Sequence, residues 1–141
     1  MDEEGRVGIL MCAGCAFVCL FLFVSIALTE VAMQDRRLVS CADALASAGV
    51  SGASASTVFA RGSFGVDEET ASSRVDRALA GLSDSTCRVG DGVNVAWVSV
   101  SGGEMEVGVR AHPRVSLLPQ VLRNAVVPEL VRTSSARLRG V

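Results

Sequence analysis

The chain has no lysine and no tyrosine, and only one histidine, one tryptophan and three prolines in 141 residues. Every one of its 13 basic residues is arginine, set against 15 acidic ones, and the net charge of −2 leaves no basic field for nucleic acid. The missing Lys and Tyr, beside abundant Ala, Gly, Val and Ser, reflect codon usage rather than an arginine-specific chemistry. His112 stands alone, so a zinc site has no set of ligands to draw on. No Gly-x-Ser-x-Gly elbow supports a Ser-His-Asp arrangement. Glu68 and Glu69 suit the start of a helix better than a general acid/base pair. No catalytic, metal or cofactor site is expected, and the chain is read as non-enzymatic.

Charge is also missing from one long stretch. Between Val7 and Thr29 no residue is charged over 23 positions. As a helix this run spans roughly 35 Å, enough for a hydrocarbon core of about 30 Å. A helix buried in a soluble core would keep a polar face, and this run has no charge on any face. A cleaved signal peptide fits poorly: MDEEGR is acidic apart from Arg6, the run is long, and TEVAMQDRRL offers no small-x-small site. Residues 1–6 are therefore a short N-terminal segment and 7–29 a transmembrane helix in contact with membrane lipid. Cys12, Cys15 and Cys19 recur at i, i+3 and i+7 along one stripe of it. Metal-binding thiolates are costly in lipid, and no His or carboxylate lies nearby, so the stripe reads as small, soft residues for helix packing.

Beyond Thr29 the sequence has no Pro and no Gly until Gly49. Val31, Leu38 and Leu45 recur every seven residues, with Cys41, Ala42 and Ala48 on the same side. This predicts that the helix continues through 30–48, with Gly49 as its C-cap. Residues 49–66, rich in Gly, Ser and Ala, read as a linker.

A small α+β domain is expected over 67–141. Its helix has Asp67 as N-cap, an apolar face of Ala71, Val75, Ala78, Leu79 and Leu82, and Gly81 as a possible stop. VNVAWVSV and MEVGVRAHPRV flank Gly102-Gly103 as a β-hairpin. In that register Val98 faces Val107, Ala96 faces Val109, Val100 faces Met105, and Trp97 covers Gly108. Glu106, Arg110, His112 and Arg114 point outward. SLLPQVLRNAVVP reads as a short helix or apolar loop, and VPELVRTSSARLRG as a third strand. Cys41 and Cys87 are the two Cys outside the apolar run; a disulfide between them or two free thiols are both open. The fold class is α+β: a long N-terminal helix, part transmembrane and part projecting, followed by a small antiparallel sheet with a packed helix.

The run EEGRVGIL, a hydrophobic helix and then RRLVSCADALASAG together resemble the TadE/TadG-type pseudopilin-like proteins of tight-adherence (Flp) pilus systems. Arg36, Arg37, Leu38, Ala42, Asp43, Ala44, Leu45 and Ala46 carry the resemblance, which covers about the first fifty residues. It implies a membrane-anchored pilin-like subunit or assembly component whose partners are other pilin-like subunits or the assembly platform. It also implies an extracytoplasmic C-terminal domain, whereas the basic residues alone, Arg36 and Arg37 after the run against Arg6 before it, favour a cytoplasmic one. Gly5 is the candidate processing glycine. The fifth residue after it is Leu10, where pilin precursors of this broad class carry an acid. The alternative from composition alone is a membrane-tethered binding or regulatory protein unrelated to pili.

Overall fold

The computed structural model describes residues 3–51, 67–101 and 104–137. Most of the expected linker, 52–66, and the Gly102-Gly103 turn lie outside the described residues. Helix α1 runs from Glu3 to Ser51, 49 residues, a length of about 73 Å. Helix α2 covers Glu68–Leu82. Strands β1 (Val93–Ser101) and β2 (Glu104–Ala111) follow, then the short helix α3 (Gln120–Val126) and strand β3 (Leu130–Arg137). The sheet is antiparallel in the order β1-β2-β3. This is an α+β fold: the sheet and α2 pack on the C-terminal part of α1.

The core follows from two periodicities meeting. On α1, Leu38, Cys41, Ala42, Leu45 and Ala46 are buried, the i, i+3, i+4, i+7 spacing of one helical face. On β2, Met105, Val107, Val109 and Ala111 are buried in alternation, the period of a strand with one covered face. Ala71 and Val75 of α2 close the cluster, with Ala78, Leu79 and Leu82 partly buried beside them. Being central, β2 is the most buried strand. Cys41 and Cys87 form a disulfide across a sequence separation of 46, tying α1 to the turn that leads into the sheet.

Three details differ from the sequence expectations. Gly49 does not cap α1; it is buried within the helix, where a Cβ would overlap the Met105 thioether and come 3.3 Å from Val75 Cγ2. The glycine is kept for close approach of the sheet, and the helix continues to Ser51 into the segment expected as linker. Likewise Gly81 lies inside α2, which ends one residue later. Asp67 is the N-cap of α2 as expected, acting through its backbone: its carbonyl accepts from Ala71 N at 2.9 Å, with no side-chain hydrogen bond.

The hairpin register is the third. Val98↔Val107, Val100↔Met105 and Trp97↔Gly108 pair as expected, but Val95, not Ala96, faces Val109. A bulge between Val95 and Trp97 adds one residue to β1, so Val93 and Val95 return to the inward face. Without it they would point into solvent. The Trp97 ring lies over Gly108, where a Cβ would collide with it.

Beyond the core, the sheet's far end is held by charge. Arg137 Nε donates to Glu104 Oε2 at 3.2 Å across the β2–β3 pair. The Ser135 hydroxyl, and then the Arg137 guanidinium, hold the Glu104 carboxyl below the usual carboxylate range. A depressed carboxylate pKa contributes stability that is present above its unfolded value near 4.5 and is lost as pH falls through the folded value. Glu104→Gln is therefore expected to flatten the acid limb of a thermal-stability profile below about pH 4.5. An unchanged limb would show that this contact contributes nothing.

Candidate functional site

The two parts of α1 differ in what surrounds them. Thirteen large apolar residues between Val7 and Leu28 are exposed, and Cys12, Cys15 and Cys19 are exposed free thiols on this stretch. Cβ positions at Gly5, Gly8 and Gly14 open onto empty space. Its hydroxyls are satisfied within the helix: Ser25 Oγ donates to Phe21 O at 2.8 Å, and Thr29 Oγ1 to Ser25 O at 2.8 Å. That is the condition for polar groups in a hydrocarbon medium, where no water is present to serve them. Leaving these thirteen side chains in water would forgo on the order of 20 kcal/mol of apolar transfer free energy. The helix is long and apolar enough to cross a membrane.

At the point where the uncharged run stops, a polar collar begins. Glu30, one residue after Thr29, accepts through Oε2 from Ser116 N at 2.9 Å. One turn on, Gln34 grips Arg114 twice: Oε1 accepts from Arg114 N at 2.7 Å, and Nε2 donates to Arg114 O at 2.5 Å. Asp35 pairs with Arg132, with Nε at 2.8 Å from Oδ1 and Nη2 donating to Oδ2 at 3.0 Å. Ser134 Oγ donates to Asp43 Oδ1 at 2.5 Å. Arg132 and Ser134 face the helix because their β2 partners, Val109 and Val107, are the inward residues of the sheet. The edge strand thus meets α1 through polar pairs, which also discourages pairing with another chain. Arg114 completes the collar with an ion pair to Asp91 at 2.7 Å.

Nothing in the sequence distinguishes Glu30 and Gln34 from solvent-facing helix residues. Their partners are backbone groups 80 and 86 residues away, and a backbone group has no sequence signature. Asp43, by contrast, belongs to the Ala-Asp-Ala run already singled out.

His112 lies just past β2, exposed, with Nε2 3.8 Å from Glu129 Oε1 and the Arg110 guanidinium 4.0 Å from the same oxygen. Among the described residues, no group of three or more His, Cys, Asp or Glu side chains is placed to hold a metal ion. An open groove of about 420 Å³ beside Cys87 is lined by Asp76, Arg88 and Asp91, acids and base mixed. The structure places Cys12, Cys15 and Cys19 together on the bare helix, brings Cys41 and Cys87 into a bond, and leaves Gly5 exposed near the start of α1.

Comparison with protein families, with curated proteins and with solved structures finds no match to this chain. The fold and site define a class by themselves: a small α+β domain built around the end of a helix that is long and apolar enough to cross a membrane.

Proposed function

We propose that the chain is a non-enzymatic, single-pass membrane protein of pilin-like type that serves tight-adherence (Flp) pilus assembly, with its α+β domain outside the cytoplasm. The observation that carries this is the division of one unbroken helix. Its first half is bare and apolar, and its second half is the central element of the domain core. A simple anchor would need no such continuity, since any apolar segment on a flexible tether holds a domain at a membrane. A rigid helix shared by lipid and domain transmits packing between neighbouring helices directly to the domains they carry. The Ala-Asp-Ala and Arg-Arg resemblance supplies the pilus context. The disulfide supports the extracytoplasmic side, because such bonds persist in oxidising compartments.

In this reading the Cys12, Cys15 and Cys19 stripe packs against equivalent helices of other pilin-like subunits or of the assembly platform. Replacing all three by Leu is expected to leave the protein in the alkaline-extracted membrane fraction while assembly into higher-order complexes, followed by crosslinking, falls at least several-fold. Exchange of residues 7–29 for an unrelated apolar span that preserved assembly would instead favour a membrane-tethered binding protein. Protease treatment of intact and of lysed cells tests the topology; protection of the domain in cells stripped of their wall would overturn it. The mass of the mature N-terminus decides whether Gly5 is a processing site.

A further inference from the structure

We propose that the connection between β2 and β3, from Leu117 to Val126, lies in the headgroup layer of the bilayer and seats the domain on the lipid surface from which α1 emerges. This rests on α1 being the membrane span and deepens that reading.

Outside the first half of α1, four of the large exposed apolar residues fall in this one connection: Leu117 at 48 %, Val121 at 84 %, Leu122 at 51 % and Val126 at 66 % exposure. The helix that carries three of them, α3, is seven residues long. Helices this short are not stable by themselves in water, so α3 needs a surface to lie on. Its apolar side chains point away from the core.

Its height is set by the collar. The connection leaves β2 at Ala111 and re-enters the sheet at Leu130, which places it at the end of the sheet beside Glu30 and Gln34. Ser116 is hydrogen-bonded to Glu30, the residue after Thr29. Helical side chains lean toward the N-terminus, so Glu30 holds Ser116 level with the last turn of the apolar run. Leu117 is the next residue. A run of roughly 35 Å exceeds the hydrocarbon thickness of about 30 Å and ends within the interfacial layers, which extend the bilayer to about 40–45 Å. Amphipathic elements in that layer bury their apolar side about 5–10 Å deep. The patch is therefore at the depth where lipid surrounds α1 on every side, and lipid is the occupant continuous with the apolar surface of α1. The exposed groups at its ends, His112, Arg114 and Glu129, remain in headgroup water.

The test uses the single tryptophan. Full-length protein carrying Trp97→Phe and Val121→Trp is reconstituted in phosphatidylcholine vesicles, with the unsubstituted chain as reference. Val121 is open enough to accept an indole, and mass measurement of the Cys41–Cys87 bond reports that the domain is folded. The indole at position 121 is expected to be quenched at least twofold by lipids brominated near the headgroup and to be shielded from aqueous iodide. Trp97, three residue pairs up the sheet and thus about 10 Å farther from the bilayer, is expected to be insensitive to the brominated lipid. Alkaline extraction of the same vesicles reads the span independently. Release of the protein would overturn both the span and the proposal. Retention with iodide quenching and no lipid quenching would overturn the proposal alone. Shielding from both quenchers would also overturn it, and would place a second copy of the chain on the patch.

Discussion

A Cys41→Ala/Cys87→Ala chain is expected to lose about 4 kcal/mol of domain stability, the loop-closure value for a crosslink spanning 46 residues. For a domain of this size that corresponds to a fall in Tm of roughly 15–30 °C. Both residues are buried in the core cluster, so two Ala also leave a small void; reduction of the native chain, which keeps both sulfurs, isolates the crosslink. The closed loop contains residues 52–66 and all of α2. Without the bond, the position of α2 against α1 depends on the apolar contacts of Ala71 and Val75, with the partly buried Ala78, Leu79 and Leu82 beside them. Small domains have about 5–15 kcal/mol in total, so the loss is a large share. Reduction of the native chain should reproduce the shift, whereas Cys12→Ala/Cys15→Ala/Cys19→Ala should leave the domain Tm unchanged. A Tm insensitive to reductant would show that the bond does not stabilise the domain.

The second large effect is expected at Gly90. Its φ of +52° is in the left-handed region, and a Cβ there would overlap the His112 carbonyl and come 3.1 Å from Pro113 Cα. Both obstacles are backbone, so neither moves aside cheaply. The turn must be close to strand β2's end because Asp91 N donates to that same His112 carbonyl at 3.2 Å. Gly90→Ala is expected to cost about 3 kcal/mol, conformational strain of about 1–2 kcal/mol plus displacement of the 112–113 backbone. Because that backbone leads directly to Arg114, the grip of Gln34 should loosen with it, seen as faster amide exchange at Arg114 and Ser116. Gly81→Ala provides the opposite sign: it sits in α2 with nothing near its Cβ position, and should be neutral or stabilising by up to about 0.5–1 kcal/mol. Equal thermal shifts at the two glycines would refute the steric argument for Gly90.

Much of the architecture was legible because it depends on patterns local to the chain. An uncharged run of 23 residues specifies a helix long and apolar enough to cross a membrane, and the seven-residue recurrence of Val31, Leu38 and Leu45 carries that helix onward. Alternating Val residues around Gly102-Gly103 specify a hairpin, and a Trp facing a Gly is visible as soon as the strands are aligned. Where the sequence misled, a tertiary contact overrode a local preference. Gly49 looks like a helix stop by propensity, yet Met105 requires its missing side chain within the helix. Ala96 looks inward by counting, yet the inward face belongs to Val93 and Val95, both ahead of a bulge that no local signal announces.

By itself, then, the sequence determined the elements: the uncharged helix and its extension, the hairpin and the third strand. Only the tertiary structure decided how the domain sits on its helix. The collar from Glu30 to Asp43 joins residues 80 to 97 positions apart. Its partners are main-chain groups and the inward side chains of an edge strand, identifiable once β2 and β3 are paired. The same geometry brings the apolar β2–β3 connection level with the end of the uncharged run, because both are fixed to one turn of α1.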